Sequence, residues 1–293
     1  MELPQIFDRQ AQRRFLDRAI RSGFETFLVD RAAGELIDRL STVKRRFERA
    51  LDLGTPSPSV FSALQSSEAV GTVIRAAPSI AAARPGDIVT DEEYLPFAPA
   101  SFDLVASVMS LQNINDLPGT LAQVRRVLRP DGLFLAAFAG GNTLTELRQS
   151  LATAESECEE GVSPRVSPFA DLRDLGGLLQ RAGFALPVAD VDTVTVRYGN
   201  PLSLMQDLRA MGLSNALQER RKQPLRRTTL MRACAFYLER FAAPDGRMPA
   251  TFDILWLSGW APHESQQKPL KPGSAKMRLA DVLGDRSSPG TDP

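Results

Sequence analysis

The chain has 293 residues, 43% hydrophobic and 24% charged, ordinary values for a globular protein. Lys+Arg and Asp+Glu are equal at 35 each, so bulk charge argues against a nucleic-acid partner or an anionic membrane surface. One histidine and two distant cysteines, Cys158 and Cys234, leave no metal-ligand spacing and suit a reducing compartment. At this length the chain can form one large α/β domain, or one domain with an elaborated half. Residues 1–14 are polar and charged, so neither a signal peptide nor a membrane span is expected there. A cytoplasmic location follows as an expectation, with at most peripheral membrane association. Two basic clusters, Lys44-Arg45-Arg46 and Arg220-Arg221-Lys222 continuing to Arg226-Arg227, read as solvated helix faces, or as a docking patch for an acidic partner.

In chain order, residues 7–20 and 26–40 carry apolar side chains at helical spacing within a charged background. From residue 50 short strands alternate with helices, with strand candidates at 50–53, 70–74, 87–90, 104–107 and 133–138. Between the last two, Leu117, Leu121, Val124 and Leu128 share one helical face and Arg125, Arg126 and Arg129 turn outward. Pro130-Asp131-Gly132 reads as the turn into the next strand. Helices follow at 143–159, 171–182, 201–211 and 228–241, and two late strands at 193–198 and 251–258. Trp256 and Trp260 sit at even spacing and share one face of the sheet.

Alternating strands and helices imply βαβ units and a mostly parallel, doubly wound seven-stranded sheet with a helical C-terminal insertion. The expected division is a helical N-terminal segment over 1–45, a nucleotide-binding-type core over 46–140, and a C-terminal half over 141–265. Residues 266–293, rich in Pro, Gly, Ser and charge, are expected to form a poorly ordered tail.

The most informative stretch is Leu51-Asp52-Leu53-Gly54-Thr55-Pro56-Ser57-Pro58, a strand ending in Asp-x-Gly just before a helix. Such turns hold nucleotide ligands because glycine permits positive φ and close backbone approach, and because N–H groups at the helix start face the ligand. Pro56 and Pro58 stand where further glycines are usual; proline offers no N–H and fixes φ, so donors and reach are both reduced. Ser57-Pro58 fits as N-cap and first helical residue, so the helix itself is kept. Asp52 suits either a ligand ammonium or the nearby loop amides.

The residues resemble the class I S-adenosylmethionine-dependent methyltransferase superfamily. The cues are Leu51-Asp52-Leu53-Gly54, Asp91-Glu92-Glu93-Tyr94-Leu95-Pro96-Phe97, Ser101-Phe102-Asp103-Leu104-Val105 and Leu128-Arg129-Pro130-Asp131-Gly132, in that order and spacing. A narrower resemblance, from about residue 6 to 283, is to the methyltransferase-like assembly factors of respiratory complex I and their bacterial relatives. It rests on Ala139-Gly140-Gly141-Asn142-Thr143-Leu144-Thr145-Glu146-Leu147-Arg148, Ser163-Pro164-Arg165-Val166-Ser167-Pro168-Phe169, and Asp174-Leu175-Gly176 with Arg181-Ala182-Gly183-Phe184. Met211-Gly212-Leu213-Ser214-Asn215 and Gly259-Trp260 with His263-Glu264-Ser265-Gln266 complete it.

The resemblance implies a Rossmann-like methyltransferase fold and S-adenosylmethionine as cofactor, with Asp52, Gly54, Asp91 and Glu92 as the cofactor-binding residues. No catalytic residue and no metal ligand is assigned. The mitochondrial member is credited with arginine hydroxylation of a complex I subunit, and more distant relatives methylate malonyl-acyl carrier protein. Three positions depart from the family pattern: the proline-substituted turn, Ala77 where an acid would accept the ribose hydroxyls, and Gln112-Asn113 in place of His-Trp. A hydrogen bond to a charged group contributes about 1.5–3 kcal/mol, so losing one weakens binding roughly 10- to 100-fold. Two functions are therefore expected to compete: modification of a protein substrate with S-adenosylmethionine, and non-catalytic holding of a complex I subunit. Carrier-protein methylation ranks third, since no residue specifically reads a phosphopantetheine arm. His263 is expected to be a partly buried structural histidine.

Overall fold

The computed structural model describes residues 5–159, 161–168 and 172–266. Two N-terminal helices, α1 (Arg9–Arg21) and α2 (Phe27–Ser41), precede β1 (Phe47–Leu53), α3 (Ser59–Gln65), β2 (Val70–Ala77) and the two-residue β3 (Ile88–Val89). Then come β4 (Phe102–Val108), α4 (Leu117–Val127), β5 (Leu128–Gly140), α5 (Thr145–Cys158) and α6 (Leu172–Arg181). The chain continues through β6 (Ala185–Tyr198), α7 (Pro201–Ala210), α8 (Arg227–Phe241) and β7 (Met248–Trp260). The seven strands form one sheet in the order β3-β2-β1-β4-β5-β7-β6. β1 to β5 run parallel, and β7 pairs antiparallel with both β5 and β6. This is the Rossmann-like, doubly wound arrangement expected from the alternation of strands and helices.

Side-chain alternation along the strands separates two cores. One face carries Leu51, Leu53, Val105, Phe134, Phe138 and Leu257, packed on α4 and α6. The other carries Ala50, Leu104, Leu133, Leu135, Ile254 and Trp256, packed on α2 and α3. Trp256 and Trp260 do share that second face, and Arg39 of α2 stacks on the Trp256 ring at 4.3 Å. A third cluster joins α5, α7 and α8 to the outer end of β7 through Met248, Ala250 and Phe252.

Several boundaries differ from the pattern reading. β5 begins at Leu128, because Pro130-Asp131-Gly132 is absorbed into the strand: Asp131 adopts φ 63° and the β4–β5 register slips between Phe102 and Leu104. β6 starts at Ala185, eight residues before the expected 193, since β7 supplies a long ladder that overrides the polar residues Asp190 and Asp192. The α3 cap is displaced by one residue. Pro58 occupies the cap position and the helix starts at Ser59, whose N–H donates to Ser57 Oγ at 3.3 Å.

Residues Met1–Pro262 form one compact unit and His263–Pro293 a second. Most of the expected tail, from residue 267 on, lies outside the described residues, as do 1–4, 160 and 169–171. His263 is exposed rather than partly buried, its Nδ1 2.7 Å from Ser265 Oγ. Cys158 and Cys234 are free thiols, and no helix among the described residues is long and apolar enough to cross a membrane.

Candidate functional site: a self-filled crevice and a neighbouring cavity

In an open α/β sheet, ligands bind beyond the carboxyl ends of the strands where the strand order reverses. That point lies here between β1 and β4. Gly54 follows β1 with φ +71°, a conformation that favours glycine, and its N–H donates to Ala76 O at 2.8 Å. In front of it the space is taken. A Cβ placed on Gly54 would collide with Ser110 Oγ and lie 2.6 Å from Glu92 Oε1. The Ser110 hydroxyl donates to Glu92 Oε1 at 2.9 Å, linking the segments after β4 and β3 in front of the Gly54 turn.

Asp91 and Glu92 follow β3 and point at α1. Arg9 Nη2 donates to Asp91 Oδ1 at 2.8 Å and also to Glu92 Oε2, while Arg13 pairs with Asp91 Oδ2. Arg9 Nη1 reaches Asn113 O at 3.3 Å. Burial raises the Asp91 pKa, but the Arg9 charge, the Glu93 N–H and Arg13 outweigh it and hold the carboxylate below its ordinary value. For Arg9, burial lowers the pKa, and the charges of Glu92 and Asp91 more than reverse that.

Asp52 lies beneath the turn. It is completely buried, and neither carboxylate oxygen accepts a hydrogen bond. Burial pushes its pKa up to about 7, against the opposing pull of the Thr55 hydroxyl and of Arg75, whose Nε is 3.6 Å away. Arg75 is the β2 neighbour of Asp52 and is itself fully buried. Its guanidinium donates to Ala82 O at 2.8 Å, Thr55 O at 3.0 Å and Asp87 Oδ2 at 2.6 Å, so it ties the turn to the segment after β2. Ala77, at the end of β2, is fully buried with no polar side chain to offer.

Of the four residues singled out from sequence, Gly54 and Glu92 meet directly, Asp91 adjoins them, and Asp52 is set apart in the layer below. Ser110, Arg9, Arg13 and Arg75 complete the arrangement and were not picked out. Arg75 could have been: a lone arginine inside an apolar strand is unusual. Arg9 and Arg13 share a helix face at i, i+4 spacing, but nothing in their spacing names Asp91 as their partner.

A separate, partly open cavity lies beside the crevice, lined by Met109, Gln112, Leu144, Leu208, Ser214 and Phe252 among others. Gln112 Nε2 donates to Met109 O at 3.0 Å, and its Oε1 is buried without a partner. Asp253, also in the wall, is already used: Oδ2 accepts from Asn142 N at 2.8 Å and Oδ1 from the Thr193 hydroxyl at 2.7 Å. The segment carrying Arg165, Val166 and Ser167 forms another wall, held by Ser163 and Arg165 on the buried Glu155. The basic clusters are partly matched within the chain, Arg45 to Asp131, Arg220 to Asp8, and Arg221 to Glu159. Among the described residues no group of three His, Cys, Asp or Glu could hold a metal ion.

Comparison with known proteins agrees with this architecture. Residues 25–187 match a family model described as a methyltransferase domain. The arginine-hydroxylase NDUFAF5, mitochondrial, of Danio rerio is 42% identical over 288 residues, spanning 94% of this chain and 89% of the relative. A malonyl-[acyl-carrier protein] O-methyltransferase of Halorhodospira halophila is 33% identical, spanning 96% and 97%. The YcgJ protein of Bacillus subtilis superimposes with a TM-score of 0.52 at 15% identity, covering 78% of this chain and 98% of YcgJ, which supports the fold alone. The expected cytoplasmic location is corrected by these findings: the NDUFAF5 relatives are named as mitochondrial proteins, and reduced thiols with a charged N-terminus do not distinguish one reducing compartment from another. With a methyltransferase-domain match over more than half its length and a near-full-length relative at 42% identity, the chain belongs to the class I methyltransferase superfamily, in the group that includes the NDUFAF5 arginine hydroxylases.

Proposed function

We propose that this protein serves respiratory complex I assembly by holding a protein client, with the cofactor crevice of its methyltransferase fold filled by its own side chains. The observation that carries this reading is the contrast between two neighbouring sites. At the switch point, the approach to Gly54 is occupied by Ser110 and Glu92, and both carboxylates after β3 are engaged by arginines of α1. Pro56 and Pro58 withhold N–H donors, and Ala77 cannot accept a ribose hydroxyl. In this arrangement the residues do not fit S-adenosylmethionine. The adjacent cavity, by contrast, keeps apolar walls and one unpartnered acceptor, a surface suited to a protein side chain. On this reading residues 46–140 serve as scaffold and 141–265 carry the client-facing half.

A second reading is S-adenosylmethionine-dependent modification of the same client. It is favoured by the presence of Asp91 and Glu92 and by the identity to arginine hydroxylases. The deciding experiment for the first is complementation of a deletion strain. A Ser214→Trp variant, which fills the cavity, is expected to leave NADH–ubiquinone oxidoreductase activity at the deletion level, and the wild-type chain is expected to co-purify with a complex I subunit. Normal complex I in the deletion strain would refute the role in assembly.

A further inference from the structure

Resting on the reading that the crevice is filled from within, we propose that α1 is a latch: the Arg9 guanidinium stands in ligand space, and the crevice admits a nucleoside-type ligand when α1 withdraws. Three observations carry this. The first is position. Arg9 meets Glu92 at the switch point, and Glu92 in turn contacts Ser110 at the end of β4 and crowds Gly54 at the end of β1. An N–H fork from a guanidinium donates to the same carboxylate oxygens that the amino and hydroxyl donors of a nucleoside would use, so the two occupants exclude each other.

The second is how α1 is held on its crevice side. Of its thirteen residues only Ala11 and Ala19 are fully buried, while Phe15, Leu16 and Ile20 are half-buried, Leu16 against Gly212. The segment leading into it is tied to residues 216–218 by a backbone bridge between Phe7 and Leu217, and its face toward the crevice is held by polar contacts. Besides the Arg9 and Arg13 pairs, the Phe7 N–H donates to Asn115 Oδ1 at 2.8 Å and Asp8 accepts from Arg220 at 2.8 Å. A terminal helix with only two fully buried residues opens at lower free energy than the sheet it covers.

The third is the floor of the crevice. Gly54 keeps its positive φ, and the turn below it is braced by Arg75 through Thr55 O, independently of α1. Removing the latch therefore leaves the crevice standing. Two carboxylates, a serine hydroxyl and a glycine backbone would then face solvent, a set that selects hydroxyl- and amino-bearing ligands.

Calorimetric titration with S-adenosylhomocysteine tests the proposal on the full chain. The Arg9→Ala, Arg13→Ala double variant is expected to bind at least about tenfold more tightly than either the wild type or an Arg14→Ala control, Arg14 being an exposed residue of the same helix outside the latch. In parallel, saturating ligand is expected to speed amide exchange in residues 9–21 of the wild type, a readout that does not depend on the variant folding. Equal, tight binding by wild type and double variant would overturn both the latch and the filled-crevice reading. No binding by either, with α1 exchange unchanged, would overturn the latch alone and leave the client-holding function intact.

Discussion

A guanidinium in the middle of a buried strand has to be matched on every side, and Arg75 largely is, by two carbonyls, Asp87 and the more distant Asp52. Removing one partner of such a buried pair leaves charge and carbonyls uncompensated. Arg75→Met is expected to lower the unfolding free energy by about 3–5 kcal/mol, read from urea denaturation. Asp52 works in the opposite sense. Its folded-state pKa, about 7, lies above the ordinary carboxylate value near 3.9, so the native state binds a proton that the unfolded chain has released. Its contribution to stability is therefore present below the unfolded value and declines as pH rises from about 4 to 7. Asp52→Asn is expected to flatten that part of the stability–pH curve; an unchanged slope would show that Asp52 is ionised throughout.

Among the elements, α5 and the segment after it decide the shape of the cavity. Leu144 enters α5 in the left-handed region at φ 55°, its N–H donating to Thr251 O at 2.7 Å, and Glu146 accepts from the Thr251 N–H at 3.2 Å. These bonds fix the start of the helix to β7. At its other end Glu155 is fully buried and accepts from the Ser163 N–H at 2.6 Å, from its hydroxyl and from Arg165 Nε at 2.7 Å. Burial raises the Glu155 pKa, but these donors outweigh it and keep the carboxylate below its ordinary value. A charged acceptor with this many donors anchors the cavity wall. Glu155→Ala is expected to raise amide exchange of residues 163–167 by about tenfold while leaving β1 and β4 protected. Exchange unchanged there would mean that the wall is held by its apolar contacts instead.

At the scale of the molecule, β7 touches all three apolar clusters: Leu255 and Leu257 in one, Ile254 and Trp256 in the second, Met248, Ala250 and Phe252 in the third. No cluster can come apart without disturbing the strand it shares with the others. Urea unfolding followed by tryptophan fluorescence, which reports on Trp256 and Trp260 of β7, is expected to coincide with the far-ultraviolet circular dichroism transition. Two separated midpoints would show that the C-terminal helices unfold on their own.

How much of this was legible beforehand follows from the range of the interactions involved. Most described helices and strands had a counterpart in the periodicity of the chain, because period 3.6 and period 2 are set by neighbours a few residues apart; α3 was read from its turn and cap instead, and the single turn Leu111–Asn113 had no counterpart. The boundaries of β5 and β6 moved because a long partner strand outweighs local turn and polar preferences. The turn at Gly54 was readable, with prolines at 56 and 58 beside it, since glycine and proline each act through their own backbone chemistry. The sequence by itself thus determined the fold and the residue types at the turn of its crevice. Only the tertiary structure decided what stands there: Arg9, 82 residues before Asp91, is brought to it by packing alone. A charge pair at that separation leaves no period or spacing to read.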